Sequence, residues 1–145
     1  MSKQIIDKQT EMAVIGSFIK HPDDWQDPYI LAYEQLFCRR ETKTVYEVMK
    51  QLRARGEGIN ELTIAGMANR MGVVITNDEL REMKNAACSG EELRGCLLRL
   101  KDVQRRRGVA GVFSKLLHEL PDLTKSLDGI VTEAMSALCD LTVWG

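Results

Sequence analysis

The sequence predicts an all-α protein, a small globular helical head followed by a long antiparallel helical hairpin. Three observations carry this. The chain has 145 residues with only three prolines and is rich in Leu, Met, Ala, Glu, Lys and Arg, residues that favour helix. The only β-like run is Val73-Val74-Ile75, too short for a sheet and without a partner strand. Apolar residues recur every three or four positions along most of the chain, with capping residues before the runs and Gly or Pro after them. The boundaries this suggests are a head over 1–90 and a hairpin over 91–145 that leads towards a linker.

The first helix is predicted over 7–20, where Met12, Ile15, Phe18 and Ile19 share a face with Ala13 and Gly16 as small neighbours. His21-Pro22 ends it, because a residue before proline avoids the helical region. Residues 22–36 read as one or two short helices anchored by Trp25, Tyr29, Ile30, Leu31 and Leu36, with Trp25 read as core because large aromatics carry the most burial energy. A clear amphipathic helix follows over 41–55. Val45, Met49 and Leu52 form its stripe, and Lys43, Glu47, Lys50, Arg53 and Arg55 its wet side. Gly56 stops it. Asn60 caps a helix over 61–71 that Gly72 ends. Thr76 to Glu79 matches a capping box before a helix over 77–87, and Ser89 to Glu92 matches a second.

The long helix that begins there runs from Glu91 to about His118, roughly 40 Å at 1.5 Å per residue. Leu93, Leu97, Leu100, Val103, Ala110, Phe113 and Leu117 keep a 3–4 spacing, with a polar gap over 104–107. Leu120-Pro121-Asp122 breaks it. A return helix over 125–142 carries Leu127, Ile130, Val131, Ala134, Leu138 and Leu141 on one face. Two helices joined by a short loop make an antiparallel hairpin. Its apolar seams call for a partner, either the same hairpin of another subunit or the rest of the domain. The oligomer-interface candidates are Leu100, Val103, Phe113, Leu117, Leu127, Val131, Ala134 and Leu138.

Several function classes are excluded. A content of 44% hydrophobic and 28% charged residues is that of a chain with a core, not a disordered one. A net charge of −1 gives no whole-domain basic field of the kind nucleic-acid modules show. No glycine is followed by Lys, so the phosphate-cradling loop of motor ATPases is absent. Cys38, Cys88, Cys96 and Cys139 contain no C-x-x-C, and His21 and His118 stand far from any Cys pair, so no metal set is expected and buried thiols in a reducing cytoplasm are. No G-x-S-x-G elbow or acid–base constellation occurs, and Asp23-Asp24 reads as a helix N-terminal turn. No signal core and no apolar run near 20 residues suggests secretion or membrane spanning.

Charge is neutral overall but uneven. Arg94, Arg99, Lys101, Arg105, Arg106 and Arg107 against Asp102 make a local net of +5. From Leu116 onward Lys125 stands against Glu119, Asp122, Asp128, Glu133 and Asp140, a local net of −4. Arg105-Arg106-Arg107 is the candidate contact for nucleic acid or a partner protein, though no aromatics interleave it to stack bases, and it pairs equally well with the acidic half of the hairpin.

The order of these elements resembles the N-terminal domain of the DnaB-type replicative helicase. Glu11-Met12-Ala13-Val14-Ile15-Gly16-Ser17-Phe18-Ile19 is similar to the family's E-x-x-[VL]-[LI]-G-x-[LF]-[ILM] first helix. Leu36-Phe37 resembles its turn, with Val45-Tyr46 following in the place of its Ile-Phe/Tyr. Leu52, Gly56, Ile59, Asn60, Thr63 and Ile64 resemble its L-x-x-x-G-x-P-I-D-x-x-T-L segment, Met71-Gly72 its next helix end, and Arg105-Arg106-Arg107 its arginine-rich entry into the hairpin. The resemblance spans about residues 11–140. Gly58, Asn60 and Thr42 depart from the family's Pro, Asp and His, and Thr76 to Ala87 replaces its G-G-x-x-Y-L segment, as in a divergent member.

The resemblance implies a collar domain. Hairpins pair into dimers, three dimers ring a hexamer, and the surface docks primase or a helicase loader, with DNA contact weak or indirect. Such a domain is cytoplasmic, has no catalysis of its own and needs no cofactor. ATP and Mg would belong to a motor domain beyond Leu141 to Gly145, where the family's linker begins, so the chain is expected to be a fragment of an ATP-dependent helicase. Two alternatives stay open: a free-standing phage or mobile-element protein that binds a host helicase, and a helical nucleic-acid-binding domain.

Overall fold

The computed structural model describes residues 5–25 and 35–142, with the side chain of residue 142 left aside. Six α-helices are present among them: α1 (Lys8–Lys20), α2 (Arg40–Ala54), α3 (Glu61–Met71), α4 (Asn77–Asn85), α5 (Gly90–Glu119) and α6 (Leu127–Thr142), with a 3-10 turn at Pro22–Asp24. No strand occurs among the described residues, and Val73 to Ile75 is irregular. The fold is all-α. The anchors expected at Tyr29, Ile30 and Leu31 lie outside the described residues, while Trp25 and Leu36 are buried.

Local chemistry sets the helix ends. Asp7 accepts from the Thr10 N–H to start α1. Asn60 and Thr63 cap α3 reciprocally, each side chain bonding the other's backbone N–H, a full box where the sequence suggested a single Asn cap. At Thr76 and Ser89 the hydroxyl half is made, to the N–H groups of Glu79 and Glu92. Gly56 and Gly72 end α2 and α3 with φ of 70° and 73°, a left-handed conformation that side chains with a Cβ resist.

The chain divides into two compact units, Ile6–Lys101 and Met1–Ile5 with Asp102–Gly145. In the first, α1 packs on α4 and α2, and α2 packs on α3. Gly16 is the point of closest approach between α1 and α4. A Cβ there would stand 1.9 Å from the Met83 carbonyl oxygen. The core joins Ile15, Phe18, Val45, Met49, Leu52, Ile64, Met67 and Leu80 with Leu93 and Leu100 of α5. Trp25 sits fully buried among aromatics, 6.1 Å from Phe18 and 5.4 Å from Tyr46 between ring centroids, and its indole N–H donates to the Tyr46 hydroxyl at 3.0 Å. Arg53 stacks 4.7 Å above the ring and donates to the Trp25 carbonyl, so both the indole N–H and the carbonyl of Trp25 have partners.

One carboxylate is buried in this core. Glu11 Oε1 accepts from the Cys38 and Arg39 N–H groups at 3.1 and 3.2 Å, and the Thr42 hydroxyl lies 2.6 Å away. Helix α2 has no side-chain cap of its own at Arg39. Glu11 supplies it from α1, placing an anion where the helix dipole is positive and where open N–H groups need an acceptor. Nearby, Asp7 pairs with Arg99. Burial pushes the Asp7 carboxyl up, but hydrogen bonds from Arg99 and Thr10 outweigh it and hold its pKa below the ordinary value.

Candidate oligomerisation surface

The second unit is a helical hairpin. Residues 102–119 of α5 and helix α6 run antiparallel, so that Gly108 lies against Leu141 and the Glu119 end lies beside Ile130. Gly108 makes the approach possible, since a Cβ there would be 2.8 Å from a Leu141 methyl. Farther along, Val112 and Leu116 face Ile130, Ala134 and Ala137 across a cleft of about 170 Å³ that Lys115, Glu119 and Glu133 border. The helices thus meet closely at Gly108 of α5 and leave a cleft beside Ala134 and Ala137 of α6.

The turn is ordered by its own polar groups. Asp122 Oδ1 accepts from the Thr124 N–H at 3.1 Å and from its hydroxyl at 2.6 Å, and these bonds lower the Asp122 pKa. Lys125 and Lys115 pair with Glu119 at 3.5 and 3.9 Å. Ser126 then caps α6 through the Gly129 N–H.

Apolar residues remain outside the hairpin's own seam. On α5 these are Phe113 and Leu117, and on α6 Leu127, Val131 and Met135, all exposed at 41% or more. The spacings i, i+4 and i, i+4, i+8 put each set on one helix face. Of the sequence-predicted interface residues, Phe113, Leu117, Leu127 and Val131 therefore lie at the surface. Ala134 lines the cleft, Val103 and Leu138 are half-buried, and Leu100 is buried in the core of the first unit.

All three candidate arginines engage their own unit. Arg105 Nε donates to the Leu141 carbonyl at 3.0 Å, where the last turn of α6 presents unsatisfied oxygens and a negative dipole end. Arg106 pairs with Asp102 at 2.8 Å, and Arg107 donates to the Ile5 carbonyl at 3.0 Å. Among the described residues no cluster of three or more metal-ligating side chains occurs, and no helix is long and apolar enough to cross a membrane.

A family model described as the DnaB-like helicase N terminal domain matches residues 3–102. Among solved structures, the crystal structure of the N-terminal domain of DnaB helicase from Mycobacterium tuberculosis superimposes with a TM-score of 0.78 at 16% identity. That alignment covers 95% of this chain and 99% of the other, so the likeness of fold extends beyond the stretch matched by the family model. No curated protein matches. On the family match, with the fold in agreement, the chain belongs to the DnaB-like helicase N-terminal domain family.

Proposed function

We propose that this chain is the collar module of a hexameric replicative helicase, assembling with copies of itself through the hairpin and docking primase or a helicase loader. The observation that carries the reading is the outward apolar face of Phe113, Leu117, Leu127, Val131 and Met135. A small soluble unit seldom leaves such a set uncovered. Covering it with the same face of a second hairpin gives a four-helix arrangement with a two-fold axis, the commonest symmetry of homo-oligomers. Dimers of this kind, three to a ring, would form the collar. ATP and Mg chemistry would lie in a motor domain, and the module itself would work in the cytoplasm by holding and docking.

The arginine run argues against direct nucleic-acid contact as its main role, because its guanidinium groups bond Leu141, Asp102 and Ile5 of their own chain. Co-purification tests the reading. Tagged wild-type chain should retain untagged copies and the cognate primase or loader, and Val131→Arg should lose the untagged copies. Retention of untagged Val131→Arg chain at the wild-type level would remove the hairpin from the account.

A further inference from the structure

Helix α5 carries an exposed stripe on the side away from the head core. Leu93 and Leu100 face inward and are buried, whereas Arg94, Leu98 and Lys101 at i, i+4 and i+7 share an outward face. Leu98 is 57% exposed, an aliphatic side chain between two cations. Gly95 beside it leaves open space, since a Cβ there would meet nothing within 4 Å. Arg99, on a different side of the helix, is taken by Asp7.

The hairpin turn shows the inverse pattern. Leu123 is 95% exposed, the most exposed of the large hydrophobic residues among those described, and it stands between Asp122 and Thr124. The two bonds from Thr124 to Asp122 fix the backbone on either side of it, so Leu123 is held out rather than free to fold back. Those same bonds hold the Asp122 carboxyl below its ordinary pKa, because they stabilise the charged form. An apolar knob beside an anion thus exists on the same chain as an apolar patch flanked by cations.

We propose that the hairpin turn of a second copy docks on this stripe, with Leu123 against Leu98 and Gly95 and with Asp122 between Arg94 and Lys101. Charge complementarity and matched aliphatic side chains select a second copy of this chain as the occupant. Each half is unremarkable for affinity alone, but together they bury an aliphatic pair and neutralise an anion, which fixes register more than it adds binding energy. The proposal rests on the self-association reading and adds the contact that orients it.

A double-mutant cycle on the full chain tests it, read as the dissociation constant from sedimentation at low salt. Lys101→Glu should weaken association about tenfold, whereas Asp122→Asn, which keeps an oxygen to accept from Thr124 but loses the charge, should weaken it less and should make the Lys101→Glu change milder, so that the double variant is not the sum of the two. Leu123→Ser should weaken it as well, with thermal melting unchanged because the side chain is outside every core. Val131→Arg serves as the control for the hairpin face. If Val131→Arg dissociates the chain while the single and double charge variants behave additively, the turn contact is wrong and the hairpin face stands. Full association of all the charge variants together with Leu123→Ser would overturn the contact and assign the stripe to some other occupant. A chain that stays monomeric at every concentration would overturn both.

Discussion

Gly16 gives the sharpest test of how the head is packed. Glycine in the middle of a helix normally costs about 0.5–1 kcal/mol relative to alanine, so propensity alone predicts that Gly16→Ala stabilises the protein. The structure predicts the opposite. A Cβ at Gly16 would sit 1.9 Å from the Met83 carbonyl oxygen and 2.7 Å from its carbonyl carbon. Both are backbone atoms, so no rotamer change relieves them. Restoring ordinary contact near 3.4 Å requires α1 and α4 to separate by about 1.5 Å, which loosens the packing between these two helices. Overpacking of this kind costs about 1–3 kcal/mol, and a backbone contact belongs at the upper end. Subtracting the propensity gain leaves a net loss of about 2 kcal/mol, or roughly 10 °C in Tm for a unit of this size. Gly66 in α3 is the internal control, since a Cβ there meets nothing within 4 Å. Gly66→Ala should raise stability by up to about 1 kcal/mol. Thermal melting by far-UV circular dichroism reads both. A Gly16→Ala protein at least as stable as wild type would refute the close α1–α4 contact.

Three further predictions follow from the head. Glu11→Ala strands the Cys38 and Arg39 N–H groups and leaves the Thr42 hydroxyl only the Arg39 carbonyl, so it should cost about 3 kcal/mol, seen as a lower urea midpoint, while Glu11→Gln, which keeps an acceptor, should recover much of it. Asp7 has a depressed pKa in the folded chain, so its stabilisation is present above the unfolded value near 3.8 and is lost as pH falls through the lower folded value. Asp7→Asn keeps the cap but not the charge; its deficit in Tm against wild type should be visible at neutral pH and shrink below about pH 4. The Cys96 thiol is pushed up to about 11, first by burial and then by its hydrogen bond with Cys88, so alkylation at neutral pH should reach the exposed Cys38 and Cys139 well before Cys96, as peptide mass mapping would show.

Helix positions were legible because their signals are local. Asn60, Thr76, Gly56 and Gly72 act within one turn of themselves, and each sits in the structure at the helix end its chemistry implies. Trp25 was legible as core from size alone. The role of Glu11 was not. Its partners at Cys38, Arg39 and Thr42 lie about thirty residues along the chain, and the only hint in the sequence is a carboxylate four residues before Ile15, on the apolar face of α1. Gly16 reads as a small neighbour in the sequence, but nothing there names Met83 as the backbone it lets in. The stripe of α5 was visible as spacing, yet spacing does not say which partner each residue meets. Leu93 and Leu100 belong to the head core, whereas Phe113 and Leu117 face outward. In the sequence the arginine run is open to phosphates or to the acidic half of the hairpin. The structure shows a backbone carbonyl at Leu141 as one partner, which no charge count could reveal.

The central claim is that the outward face of the hairpin is where copies of the chain meet. Sedimentation equilibrium over a wide concentration range measures this most directly, comparing wild type with Val131→Arg and with Gly66→Ala as a variant far from the hairpin. The account predicts that wild type and Gly66→Ala share one concentration-dependent rise in mass to a dimer or a multiple of it, and that Val131→Arg stays at the monomer mass of 16.4 kDa. A Val131→Arg chain that associates as wild type does, with its melting unchanged, would contradict it.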